Sequence, residues 1–299
     1  MKESTMLNAF LTYDFLQYAL LTGVMIGLLA PLLGVFLVVR RMSLIADALS
    51  HITLSGIAFS LLLGSYIPFM QGVNPLYMGM VFSVSGSLFM EKLRQVYVHY
   101  KEIAIPIIMS AGIGLGVVFI SMANGFNTDL LNYLFGSVIA VNRSDFITIT
   151  VITVVVLFIL IIFYKELFFL SFDEEQARVS GINRRLVHLI FMVMVALVIA
   201  ASMRVVGILL VSALMTLPVA SAMRFAKGFK QLFFYAVIFG EVAVIGGLML
   251  AFQLNLAPGG VIVLLAVLIL LFSILFGRNR AKQGRFPLKK RTQPTSQSE

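Results

Sequence analysis

Residues 15–39 read FLQYALLTGVMIGLLAPLLGVFLVV, an unbroken run without a charged side chain, closed by Arg40 and Arg41. A helix needs about 20 apolar residues to cross the roughly 30 Å hydrocarbon core of a bilayer, so this stretch reads as a membrane span. It is too long for a signal-peptide core and lacks a basic leader and a small-residue cleavage site, which makes it a retained span. The whole chain has the same texture: of 299 residues, 60% are hydrophobic and 12% charged, against about 45–50% and about 25% in soluble domains. Half the usual charge cannot cover a water-facing surface, so an ordinary soluble enzyme is excluded. With no cysteine in the chain, disulfides, thiolate metal sites and cysteine nucleophiles are excluded too.

Working outward from this span, further candidates follow at 42–64, 74–91, 103–123, 145–164, 186–202, 205–223, 231–252 and 259–276. The second holds two ionisable residues and the third is short. The stretch 129–142 is apolar but too short to cross, and reads as a re-entrant or interfacial helix. The expected fold is an all-α polytopic membrane protein of about nine transmembrane helices, eight being the alternative count. Alternating sides from an outside N-terminus puts 19 of the 22 Lys and Arg on the inner side, leaving only Lys2, Arg143 and Arg204 outside. Cytoplasmic loops collect Lys and Arg, so the orientation is N-out and C-in. The net charge of +9 then reflects topology, with membrane lipid rather than nucleic acid as the partner. One membrane domain covers 1–277, and 278–299 is a basic tail expected to be disordered in the cytoplasm.

Small residues recur within the spans, at Gly23 and Gly27, at Gly112 and Gly116, and at Ser83, Ser85, Gly86 and Ser87. They allow close helix approach, the main source of packing in lipid. Pro31, Pro106 and Pro218 are expected to kink or interrupt their helices.

Asp47, His51 and Glu241 are the ionisable residues set well inside apolar spans, where each is a functional hypothesis by default. Asp47 and His51 are four apart and share a helix face. They lie six and ten residues beyond Arg41, roughly 9–15 Å along a helix. A carboxylate with an imidazole is half a site for zinc or manganese; the competing reading is an Asp–His hydrogen bond that ties helices together. Glu241, at similar depth, reads as a further ligand, a proton carrier, a group bonded to a neighbouring Ser or Thr, or an acid that stays protonated. His188 and His99 read as interfacial or solvated, and Met203, Met215 and Met223 as packing.

The inner loop 165–185 is different in kind. Phe168, Phe169, Leu170 and Phe172 lead into Asp173, Glu174 and Glu175 at a helix start, where acids suit the positive end of the dipole. Gly181 suits its stop. Such a helix fits docking of a cytoplasmic partner, or is an ordinary amphipathic loop helix. No GxxxxGK[ST] occurs, so the chain is expected to be no enzyme, and ATP-driven transport would need nucleotide on a second polypeptide.

Several segments carry a resemblance. GVMIGLLAPLLGVFLVVRRMSLIADALSH (23–51), YLFGSVIAV (133–141), FDEEQARVSGI (172–182), VVGILLVSALMTLPVASAMR (205–224) and APGGVIVL (257–264) resemble the membrane permeases of bacterial ABC importers for zinc and manganese, most of all the zinc-uptake (ZnuB/AdcB-like) type. The resemblance implies a homodimeric, multi-pass permease in the bacterial cytoplasmic membrane. It implies two cytoplasmic ATPase subunits and an extracellular metal-binding protein as partners. It also implies that Asp47 and His51 coordinate the ion. EQARVSG (175–181) resembles the motif that engages the ATPase, with Glu175, Ala177 and Gly181 inside it, Asp173 and Glu174 just before, and Gln176 where the family has Ala. Glu241 matches no ligand of the family.

Two chains contributing Asp47 and His51 would supply four N/O ligands, the tetrahedral preference of zinc. The expectation is therefore ATP-driven import of Zn2+, with no permanently bound cofactor. Import of Mn2+ or iron by the same architecture is the nearest alternative. An ion-coupled secondary transporter using Glu241 as relay is a further one.

Overall fold

The computed structural model describes residues 13–123, 128–172 and 180–281. Asp173, Glu174, Glu175 and Ala177 of the expected coupling motif, and the tail beyond Ala281, lie outside the described residues. Those described form an all-helical protein: α1 Asp14–Val39, α2 Leu44–Tyr66, α3 Pro75–Val96, α4 Ala104–Met122, α5 Thr128–Phe135, α6 Arg143–Ile162, α7 Tyr164–Phe172, α8 Arg184–Val206, α9 Ile208–Ala222, α10 Phe229–Leu254 and α11 Pro258–Ala281. Short 3-10 turns at Pro68–Gly72 and Lys101–Ile103 precede α3 and α4.

All nine expected spans fall on helices. Among the described residues, seven helices (α1, α2, α4, α6, α8, α10 and α11) are long and apolar enough to cross a membrane. The remaining two differ for separate reasons. Gly, Ser and the charged residues Glu91, Lys92 and Arg94 dilute the apolar character of α3. The 15 residues of α9 extend about 22 Å at ~1.5 Å each, short of a full crossing. The stretch 129–142 is helical only as far as Phe135, and α11 continues to Ala281, past the expected domain end at 277. Pro31 and Pro218 do sit inside helices. Pro106, expected to kink its span, instead lies in the first turn of α4, where a missing N–H leaves no carbonyl unpaired.

α1, α2 and α8 form the centre, with 67–72% of each apolar stretch buried, against 22–33% for α4, α6 and α11. α2 is gripped from two sides through glycines. A Cβ on Gly86 of α3 would meet Ile52 at 2.8 Å, and one on Gly79 would meet Thr53 and Ile57 at 3.0–3.1 Å. A Cβ on Gly112 of α4 would stand 2.9 Å from the carbonyl carbon of His51 and 2.7 Å from the nitrogen of Ile52. Ser83 then ties α3 to α8 by donating to the Ala196 carbonyl at 3.0 Å.

The two ends of the helices differ in their polar chemistry. At one end Asn74 caps α3 by accepting from the Leu76 N–H at 3.0 Å, and Asn142 and Asp145 form a reciprocal capping box on α6. The fully buried Asp145 also accepts from Asn74 Nδ2 at 2.6 Å and pairs with Arg204 Nε at 3.1 Å. Arg204 donates to the Ala140 carbonyl at 2.8 and 3.1 Å and lies over the Tyr133 ring. Gly136 and Gly207, with φ of 76° and 86°, meet here at distances that leave no room for a Cβ on either. At the opposite end Arg40, Glu91, Arg94, Lys101, Arg184, Arg185 and His188 line one cavity. The C-termini of α1 and α3 therefore share this end with the N-termini of α4 and α8.

α7 is fastened to the bundle by aromatic rings. Phe168 and Phe172 pack on Phe229 at centroid distances of 5.0 and 5.2 Å, Phe229 on Phe233 at 4.9 Å, and Phe233 on Phe36 of α1 at 5.2 Å.

Arg204→Ala should lower stability by roughly 3–5 kcal/mol, because it strands a buried carboxylate; thermal unfolding in detergent measures this. Gly112→Val should lower the melting temperature more than Gly114→Val, since a Cβ on Gly114 meets nothing within 4 Å.

Candidate functional site

The start of α2 is set by a tight turn. Arg41 adopts a left-handed φ of 56°, and the Met42 N–H donates back to the Leu37 carbonyl at 2.8 Å. The chain thus passes from α1 to α2 within four residues. With Leu44 as the first helical residue, Asp47 and His51 lie about 5 and 11 Å along the helix, shallower than a count from Arg41 suggests.

Along α2 the incompletely covered residues Leu44, Asp47, His51 and Leu54 recur at intervals of three and four, forming one stripe. The other hydroxyls of this segment are turned inward on their own backbone. Ser50 donates to the Ala46 carbonyl at 2.8 Å, Thr53 to Leu49 at 2.7 Å and Ser55 to Ile52 at 2.7 Å. Asp47 and His51 are both half-buried. Among the described residues neither makes a hydrogen bond, with the other or with a neighbouring helix. The tie between helices that competed with the ligand reading is not formed.

Among the described residues, no three His, Asp or Glu side chains gather where they could hold a metal ion. Among the described residues, the stripe thus offers one carboxylate and one imidazole. Glu241 does not join them. It stands on α10 against α1, its carboxylate 3.1–3.3 Å from where a Gly27 Cβ would be, with Oε2 buried and unbonded. Gly181 is exposed and left-handed, with φ of 79°, as a helix stop or turn requires.

His99 is exposed as expected, but His188 is not. Only 5% exposed, its Nε2 lies 2.9 Å from Glu91 Oε2 and 2.7 Å from an Arg94 guanidinium nitrogen. The first turn of α8 faces α3 rather than the interface, which distance from the nearest cation in sequence does not reveal. Met203 and Met215 are fully buried packing residues. The Asp145–Arg204 pair was missed as well; its local sign was Asn142 three residues before Asp145, the spacing of a capping box.

Similarity to known proteins covers nearly the whole chain. It is 35% identical over 285 residues to the manganese transport system membrane protein MntC of Listeria innocua, covering 95% of this chain and 98% of that one. It is 34% identical over 268 residues to the high-affinity zinc uptake system membrane protein ZnuB of Haemophilus influenzae, covering 90% and 99%. The solved structure of PsaBC from Streptococcus pneumoniae in complex with Fab superposes with a TM-score of 0.79 at 31% identity, over 91% of this chain and 95% of that one. Residues 12–277 match the ABC 3 transport family, and with the helical frame and these relatives in agreement, the chain belongs to that family of metal transport permeases.

Proposed function

We propose that two copies of this chain form the membrane path of an ATP-driven importer for a divalent transition metal, with Asp47 and His51 of each copy as its ligands. The observation that carries this reading is the open stripe on α2. An acid and an imidazole within an apolar helix, neither hydrogen-bonded to another of the described residues, would be costly facing lipid. A second copy related by a two-fold axis covers the stripe with the same stripe and brings the donors to two carboxylates and two imidazoles. Four such donors match tetrahedral zinc, which we take as the cargo. Manganese is the second reading, favoured by the name of the Listeria relative; bidentate carboxylates or added water would raise the coordination number toward its preference.

The same reading carries the topology. Counting α3 and the short α9 as traversals gives nine, N-out and C-in, and would place the end bearing Arg40, Arg94, Lys101, Arg184 and Arg185 in the cytoplasm. The Arg204 cation left outside has Asp145 beside it. The chain lacks a nucleotide-binding motif, so hydrolysis belongs to a cytoplasmic ATPase that engages the 165–185 loop through Asp173, Glu174, Glu175, Ala177 and Gly181. An extracellular metal-binding protein delivers the ion at the other end. Glu241 stays outside the ligand set.

In cells or proteoliposomes carrying the full importer, Asp47→Ala and His51→Ala should each abolish uptake of radioactive zinc while the ATPase still co-purifies. Wild-type uptake in both variants would refute the ligand assignment. Unlabelled manganese competing better than unlabelled zinc would transfer the cargo to the second reading. The absence of cysteine allows a direct test of pairing. Leu44→Cys and Leu54→Cys should each give a covalent dimer with a short bifunctional maleimide, whereas Leu264→Cys on the exposed face of α11 should not.

A further inference from the structure

The cavity at the basic end has no role in the reading above. Its volume is about 240 Å³, and it opens to the surface. Cations reach it from separate elements: Arg40 from the end of α1, Arg94 from α3, Lys101 from the 3-10 turn, and Arg184 and Arg185 from the start of α8. The wall holds one carboxylate, Glu91, whose Oε2 lies 2.9 Å from His188 Nε2 and 3.7 Å from Arg94. Like charges from separate helices repel one another, and an anion in their midst reverses that cost. His188 is almost fully buried, and its ring braces the Arg94 guanidinium at 2.7 Å, so that group is positioned rather than free to swing.

The surroundings say which anion fits. Val98 lines the cavity itself, and Val96, Leu186 and Leu189 beside it are exposed. Arg185 and Leu189 are one turn apart on α8, so a cationic face runs directly into an apolar one. A soluble phosphate needs only the first of these; a lipid needs both. We propose that this cavity is a headgroup site for an anionic phospholipid, its phosphate held by Arg94, Lys101 and Arg185 and its acyl chains laid along Val98, Leu186 and Leu189. Cytoplasmic-side basic pockets between membrane helices suit such headgroups. The proposal rests on the topology above only in naming the cytoplasmic leaflet as the lipid's source, and its test reads lipid rather than transport.

The full chain, purified in mild detergent, would be titrated with phosphatidylglycerol or phosphatidylcholine and read by native mass spectrometry. One phosphatidylglycerol per chain should bind saturably, and more tightly than phosphatidylcholine. The double variant Lys101→Gln/Arg185→Gln should weaken it about tenfold or more, since each surface cation adds to the attraction. Both side chains reach water, so the fold should survive, and an unchanged melting temperature would verify this. Arg94→Lys keeps the charge but loses the planar fork and should weaken binding partially, whereas Arg224→Gln/Lys227→Gln at another basic loop should leave it intact. Equal phosphatidylglycerol binding by the wild type and the Lys101/Arg185 variant would overturn the proposal. So would displacement of the lipid by millimolar inorganic phosphate, which marks a free-anion site. Loss of the co-purifying ATPase with lipid binding retained would overturn it too, by reassigning the cavity to a protein partner.

Discussion

Hydrocarbon offers an ionised group nothing to bond to, and each one left unsatisfied there costs several kcal/mol. That constraint organises this molecule. Asp145 is enclosed by Asn74, its own capping box and Arg204, and Glu91 has the Arg94 guanidinium 3.7 Å away. Polar side chains near Asp47 and His51 fold back on their own helix. Against this background the open pair on α2 acquires meaning, as does Glu241, whose buried Oε2 is bonded to nothing among the described residues. Gly79 and Gly86 of α3 seat against side chains of α2 and Gly112 of α4 against its backbone, so the pair is carried on one of the most firmly seated helices among those described.

Much of this architecture is written locally. The apolar runs mark every long helix, and the four-residue spacing of Asp47 and His51 is enough to put them on one face. The glycines and serines of α3 correctly announce close packing, yet the same residues dilute its hydropathy, so one feature pulls the two readings apart. What local pattern cannot carry is which distant groups meet. Arg204 and Asp145 are paired across α6 and α8, and His188 finds Glu91 because of how α8 is rotated against α3. Neither fact has a periodicity. Pro106 shows a different limit, since a proline two residues into a helix and one in its middle look alike until the first turn is known.

On the proposed ligand assignment, the likeness to both zinc and manganese permeases has a physical counterpart in the donors. Oxygen and nitrogen ligands in equal number sit between the preferences of the two ions. Two such ligands per chain are also few enough to let go, as a transport site must, where a closed four-ligand structural site would trap its ion. In the proposed pairing, sharing the site between copies would tie the affinity for the ion to the distance between two α2 helices.

The rings around Phe229 bear on how such a distance could change. Phe168 and Phe172 on α7, Phe233 beside them and Phe36 within the bundle form an edge-to-face chain of rigid plates. Plates in contact transmit displacement with little slack, unlike long aliphatic side chains that absorb it by changing rotamer. Phe36 lies one turn before the tight reversal at Arg41, beyond which α2 begins. A shove on α7 from the aqueous side would thus travel as through a linkage without backlash, ending at the helix that bears the carboxylate and the imidazole.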